Sequence, residues 1–328
     1  MGLYIVRRFL YMIPTVILIS IVAFMIIQLP PGDYLSTLVA RYEAEGETLD
    51  QEYVSRLREI YGLGRPVHVQ YWLWIRGIIT RGDFGRSFAW GRPVSALIWT
   101  RLGLTFVLSL TTTLFIWIVA LPVGIYSAIR QYTVGDYVVT TLGFVGLATP
   151  NFLLALIFMY IGFSVFGQTV GGLFSPEFVS APWSIPRFLN MLSHLWIPVV
   201  VLGTAGTAGL IRHTRANLLD ELRKPYVVTA RAKGLPEWKV ILKYPVRIAL
   251  NFFVSAQATI LVTLVSGAAI VSIVLSLPTT GPLLLRALQS QDMYLAASFI
   301  LMLSVMNVLS TLISDIALAW LDPRIRYT

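Results

Sequence analysis

The chain has 328 residues, 56% hydrophobic and only 12% charged, with a formal net charge of +9 and no cysteine. Soluble chains carry roughly 25% charged residues, so a soluble reading would expose too much apolar surface, and the mean hydropathy of +0.74 fits an all-α integral membrane protein instead. The missing cysteines exclude a disulfide framework, a thiolate metal site and a cysteine nucleophile; in a membrane chain the placement of positive charge matters more than its sum, so nucleic acid is not an expected partner.

A helix needs about 20 apolar residues to cross the hydrocarbon. Six segments qualify: Phe9–Leu29, Leu104–Ile129, Val138–Phe163, Leu195–Ile211, Phe252–Leu277 and Leu295–Leu321. None alternates with period two, so a β-barrel is not expected. The first follows Arg7 and Arg8, as a signal peptide would. Its apolar run is too long for that, and Leu-Pro-Pro-Gly-Asp-Tyr stands where a cleavage site would be. It reads as a retained helix with its N-terminus in the cytoplasm.

The positive-inside rule orients the rest. With an even number of spans both termini are cytoplasmic, and the inside loops are residues 130–137, 212–251 and 322–328. The middle loop carries nine arginines and lysines against Asp220, Glu221 and Glu237, and it holds every lysine of the chain: Lys224, Lys233, Lys239 and Lys243. Three regions follow: residues 1–29 with the first span, an outer segment 30–103, and a transmembrane core 104–328 containing the loop 212–251. Pro14, Pro122 and Pro198 lie within spans, as tolerated kinks or as hinges.

The outer segment puts Tyr53, Leu57 and Ile60 on one helical face before Gly62. Its Val69–Ile79 stretch is rich in tryptophan, which suits a membrane interface. It reads as a cap over the outer mouth or a docking surface for an external partner.

Catalytic patterns are missing. There is no phosphate-cradling G-x-x-x-x-G-K-[ST], no H-E-x-x-H and no G-x-S-x-G. His68, His194 and His213 are far apart in sequence, so no metal site is expected. Asp315 lies near the end of the sixth span, where a structural hydrogen bond or pairing with loop arginines is the expected role. Gln257 and Asn307 are candidates to line a path or to join helices. Gly203, Gly206 and Gly209 recur at a three-residue interval in the fourth span. Small residues so spaced permit close helix contact or a flexible gate.

The basic loop reads as helix, glycine corner, helix. Pro225 forces a bend or a fresh helix start. Arg231 and Lys233 precede Gly234, as cations and glycine do at a helix end. Pro236 fits a first helical position and Glu237 suits the first turn. A basic helix could lie on anionic lipid. A defined corner favours docking on a protein.

The stretch from Tyr226 to Leu250, beginning Y-V-V-T-A-R-A-K-G, resembles the cytoplasmic coupling loop, the "EAA" loop, of ABC importer permeases. In particular it is similar to the dipeptide/oligopeptide (Dpp/Opp) family and its B-type permeases. The resemblance runs the length of the chain: the first span with its P-G-D ending, the outer segment from Tyr61 to Val94, Ala148–Leu156, and L-D-P-R-I-R near the C-terminus. It implies a type I ABC importer permease fold with six transmembrane helices. It also implies a second permease subunit, two cytoplasmic ATPase subunits holding ATP and Mg, an external solute-binding protein, and a bacterial or archaeal cell membrane. The chain itself would bind no cofactor. The coupling residues implied are Tyr226, Thr229, Ala230, Arg231, Ala232, Lys233, Gly234, Leu235 and Glu237. Of three departures, one is Asn251, which falls where many relatives have a proline after the loop, and the other two bear on the site. Val228, Thr229 and Ala230 stand at the positions of E-A-A, and in S-I-V-L-S-L-P-T-T-G, Ser272 replaces the Glu and Leu277 the Trp common in relatives. Ser272 joins the path candidates. The expected cargo is peptide, with oligosaccharide, nickel or glutathione as alternatives. The rival class is a secondary carrier or channel working alone; a membrane enzyme lacks any catalytic set.

Overall fold

The structure, a computed structural model, describes residues 2–29, 32–46, 50–167 and 171–321; the side chains of residues 2–4, 41, 60, 61, 166, 257–267 and 321 lie outside the description. Among the described residues the regular structure is helical, and the nearest approach to a sheet is an isolated bridge between Arg86 and Pro93. In chain order the helices are α1 (Gly2–Gln28), α2 (Tyr34–Ala44), α3 (Gln51–Tyr61), α4 (Val67–Arg81), α5 (Val94–Ile129), α6 (Val134–Ala148), α7 (Asn151–Phe166), α8 (Ile185–Leu222), α9 (Pro225–Ala232), α10 (Glu237–Lys243), α11 (Pro245–Val274), α12 (Thr280–Gln289) and α13 (Met293–Leu321).

Among the described residues four segments are long and apolar enough to cross a membrane: Ile5–Gln28, Val94–Ile129, Ile185–Leu222 and Met293–Trp320. The single span expected over Val138–Phe163 is instead two helices, α6 and α7, bent by 104° where they meet, and counted as one crossing they make a fifth. The cause is local. Pro150 supplies no N–H and disfavours helical backbone at Thr149, which sits extended at φ −85°, ψ 121°. The helix α11 covers all but the last three residues of the fifth predicted span, and within it the side chains of residues 257–267 are outside the description. The fourth span is longer at both ends than its apolar run, because α8 continues through Arg212 and Arg215 into the basic loop. Helices α1, α5 and α8 run on through Pro14, Pro122 and Pro198.

The chain divides into two compact units. One comprises residues 2–104 and 279–309, the other 105–278 and those from 310 on. In the first, fully buried Phe24 of α1 meets Tyr71 edge-on and Trp74 of α4 at centroid distances of 5.5 and 5.4 Å. A second cluster joins Phe84, Val94, Ile98 and Leu102 to Leu283, Ala287, Leu295 and Phe299. The residues 84–94 are pinned by Asp292, whose buried carboxylate accepts from Ser87 Oγ (2.5 Å) and from the backbone N–H groups of Ala89 (3.1 Å) and Leu295 (3.2 Å). The expected α3 ends at Gly62 in the left-handed region at φ 66°.

In the second unit α8 is the central element, packed against α6, α7 and α11. Ile116, Ala120, Leu210 and Phe253 form its middle layer. Ala128, Leu218, Ile241 and Val246 form a layer that ties the ends of α5 and α8 to α10 and the start of α11. Arg187 near the start of α8 lies 4.7 Å from the ring centroids of both Phe174 and Trp183.

Candidate functional site

The basic loop folds as a compact elbow. Pro225 ends α8 by holding Lys224 extended (φ −74°, ψ 149°) and then opens α9. The break is held by Glu221 at the end of α8, whose carboxylate accepts from Lys224 Nζ at 2.6 Å and from the Tyr226 hydroxyl. Burial and this carboxylate both push the Tyr226 phenol above its ordinary value, so it stays a donor. The corner is Gly234, at φ 76°. Its N–H donates to Arg231 O (2.9 Å) and that of Leu235 to Ala230 O (3.4 Å), which satisfies carbonyls left free at the end of α9. Pro236 lies one residue before the first helical residue of α10, Glu237, rather than inside the helix as the sequence pattern suggests.

A small core holds the two arms at a fixed angle. Val227, Ala230 and Val240 are buried together, with Tyr226, Leu235 and Tyr244 against them. Across the corner the Arg231 guanidinium meets Glu237: Nη2 donates to Oε1 at 2.6 Å and Nε to Oε2 at 3.1 Å. Each partner favours the charged form of the other, so the Glu237 carboxyl lies below its usual range and the Arg231 guanidinium above. Both side chains are exposed, so this pair fixes geometry more than it adds stability.

The sequence-selected residues therefore serve two roles. Ala230 is core, and Tyr226 and Leu235 are half-buried supports. Thr229, Arg231, Ala232, Lys233, Gly234 and Glu237 are exposed and form the outer side of the corner. Three exposed apolar residues of the elbow are outside the coupling set selected from the sequence: Val228 at 56%, Trp238 at 61% and Leu242 at 53% exposure. Val228 stands four residues after Lys224 and four before Ala232, so a helical wheel places it on the outer face. Glu221 was also missed, although its spacing of three to Lys224 is a helical pairing distance.

The path candidates are not alike. A Cβ on Gly203 would lie 2.6 Å from Phe115 Cδ1, and one on Gly206 2.7 Å from Ile116 Cδ1, so both glycines let α8 press on α5. Gly209 has open space around it. Ser272 is fully buried and its Oγ has no hydrogen-bond partner among the described residues. Asn307, in α13, is half-buried. The Gln257 side chain lies outside the described residues.

Among the described residues the chain is thus a helical core of membrane-spanning length, with a packed elbow between the long helices α8 and α11. Residues 120–327 match the family described as binding-protein-dependent transport system inner membrane component, and residues 1–111 match the N-terminal domain of that membrane component. The chain belongs to this family. It resembles the oligopeptide transport system permease protein AppB of Bacillus subtilis (strain 168), with 35% identity over 329 residues and 100% of both chains covered. It resembles the glutathione transport system permease protein GsiC of Salmonella choleraesuis (strain SC-B67) at 31% identity, with 99% of both chains covered. Among solved structures, the inward-facing MetNI methionine ABC transporter matches with a TM-score of 0.55 at 16% identity, covering 70% of this chain and 97% of that one. That likeness gives the fold, an ABC importer permease fold. The chain is thus a multi-pass membrane transport subunit and not an enzyme with an ATPase site of its own.

Proposed function

We propose that this chain forms one membrane half of an ATP-driven importer of di- or oligopeptides. The observation that carries the cargo is full-length similarity to permeases named for oligopeptide and glutathione transport; glutathione is itself a small peptide. The elbow supports the mechanism. A lever needs stiff arms and a fixed corner, and α9, Gly234 and α10 provide them on a core of their own. In this reading Thr229, Arg231, Ala232, Lys233, Gly234 and Glu237, with Val228 and Trp238, enter a groove of a cytoplasmic ATPase. Tyr226, Ala230 and Leu235 hold the elbow in shape. Closure of two ATPase subunits on ATP and Mg draws this elbow toward that of a second, paralogous permease subunit, and the path between them turns outward to an external solute-binding protein.

The crossings in this reading are six: α1, α5, the bent α6–α7 pair, α8, α11 and α13, with both termini in the cytoplasm of a bacterial or archaeal cell and lipid around the outer faces. Gly209, Gln257, Ser272 and Asn307 are candidates to border the path, and Gly203 with Gly206 to form the surface on which α8 moves against α5. The test is purification through a tag on this chain. The expected complex contains an ATPase and a second permease, and in liposomes takes up a labelled tripeptide only with ATP and a binding protein. A chain that transports alone would be a secondary carrier and would overturn the reading. A binding protein that elutes with a sugar would overturn the cargo.

A further inference from the structure

Asp136 stands in the first turn of α6, and its side chain is only 3% exposed. A carboxylate so buried must be paired, and here one carboxylate gathers donors from three segments. Ser127 Oγ donates from the end of α5, and the N–H of Tyr132 donates at 3.0 Å from the connecting turn. From α8, Arg215 donates through Nε at 3.1 Å and Nη2 at 2.9 Å, one to each carboxylate oxygen. The turn is tightly made: Tyr132 sits at φ 65°, and a Cβ on Gly135 would collide with Tyr126. Thr133 closes the first turn of α6, its Oγ accepting from Asp136 N–H at 3.4 Å.

The position of Arg215 gives this arrangement its mechanical meaning. It lies on α8 between Gly209 and the elbow, seven residues or roughly 10 Å at 1.5 Å per residue before the helix ends at Leu222. Below Arg215, Leu218 and Leu222 pack with Ile241 of α10 in a layer that also holds Ala128 of α5, so packing ties the end of α8 to the elbow. Above it, α6 runs along α8 on small residues: a Cβ on Gly146 would lie 2.7 Å from Thr204 Cγ2, and one on Gly143 3.8 Å from Ala208 Cβ. Such a surface permits close contact but resists sliding weakly. A two-point ion pair with fixed donor geometry resists it strongly. Past α6 the chain bends by 104° into α7.

We propose that the Asp136–Arg215 pair is the strut by which movement of the elbow, carried along α8, displaces α6 and the bent α6–α7 pair. Both side chains are then positioning residues for ATP-driven transport. The inference rests on the transport reading above and adds to it a route from the elbow to a second membrane element. It differs from a purely stabilising ion pair in what it predicts for coupling.

The experiment uses the complete complex in liposomes, with its ATPase subunits and binding protein, and measures ATP hydrolysis and labelled tripeptide uptake in the same vesicles. Asp136→Asn is the primary variant, because Arg215, 26% exposed, can turn to water. Assembly and basal ATP hydrolysis stay near wild type, while uptake per ATP falls about tenfold, within the range of ordinary coupling energies. Arg215→Lys, which keeps the charge but loses the fork, gives an intermediate ratio. The double variant Asp136→Asn/Arg215→Gln falls no further than Asp136→Asn, since one interaction is removed twice. An unchanged ratio in Asp136→Asn, losses that multiply in the double variant, or failure of even Arg215→Lys to assemble would each overturn the strut. Wild-type vesicles with no ATP-linked uptake overturn the transport reading and the strut with it; wild-type transport beside an unaltered Asp136→Asn overturns the strut alone.

Discussion

Gly234 offers the sharpest test of the elbow as a lever. Its φ of 76° lies in the left-handed region, yet no atom lies within 4 Å of where a Cβ would sit. A side chain there costs only backbone strain, and the series separates conformation from bulk. An L-residue in the left-handed region costs about 1–2 kcal/mol, less for Asn, whose side chain bonds locally, and more for a β-branched residue. With 1.4 kcal/mol equal to a factor of ten, Gly234→Ala should reduce the population of intact elbows by roughly five- to thirtyfold. Gly234→Val should cost more, and Gly234→Asn about as little as the wild type allows. Gly234→Pro is different in kind. It fixes φ near −65° and deletes the N–H that donates to Arg231 O at 2.9 Å. The measurement is tripeptide uptake and ATPase retention by purified complexes at matched subunit levels. Uptake should rank Gly ≈ Asn > Ala > Val > Pro, with membrane insertion unchanged, because the corner lies outside the spans. Normal uptake by the Val and Pro variants would refute the lever, and equal losses in Asn and Val would show that bulk matters and backbone conformation does not.

Asp292→Ala strands a hydroxyl and two backbone N–H groups inside a packed unit, at a cost of about 3 kcal/mol or more; thermal unfolding in detergent should show it, with Asp292→Asn much milder because an acceptor remains. Burial raises the Asp292 carboxyl pKa, so its contribution to stability is full below the ordinary carboxylate value and is lost as pH rises through the folded one. Asp292→Asn should flatten that part of the stability profile, and an unchanged slope would argue against the charge. For Glu237 the shift is downward, toward Arg231, so the pair supports the corner above the ordinary carboxylate value and fails as pH falls through the folded one; Glu237→Gln should remove this acid limb from ATPase retention. Gly206→Leu forces a side chain toward Ile116 and should cost about 1–3 kcal/mol by overpacking, seen as lower thermal stability, whereas Gly209→Ala, with open space around it, should not.

Much of the elbow was legible in the sequence because its signals are local. Proline removes a donor, glycine reaches left-handed backbone, and cations collect at a helix end, so helix, corner and helix followed from Pro225, Arg231, Lys233 and Gly234. The apolar runs likewise gave the positions of the helices α1, α5, α8, α11 and α13, since a long unbroken apolar run is the pattern of a helix in hydrocarbon. What the sequence could not rank was the strength of a local break against the apolar run around it: Pro150 turned one expected span into two helices at 104°, while Pro122 and Pro198 left theirs continuous.

Pairings across the chain belonged to the tertiary structure alone. Asp136 and Arg215 are 79 residues apart, and Ser87 and Asp292 are 205 apart; no periodicity links them. Ala230 read as part of a docking motif and proved to be core, because only the packing of α9 on α10 decides which side faces inward. Composition and local chain chemistry determined that this is a helical membrane protein with one rigid basic elbow. Burial, which depends on what lies opposite, decided which of its charges are solvated and which must be paired.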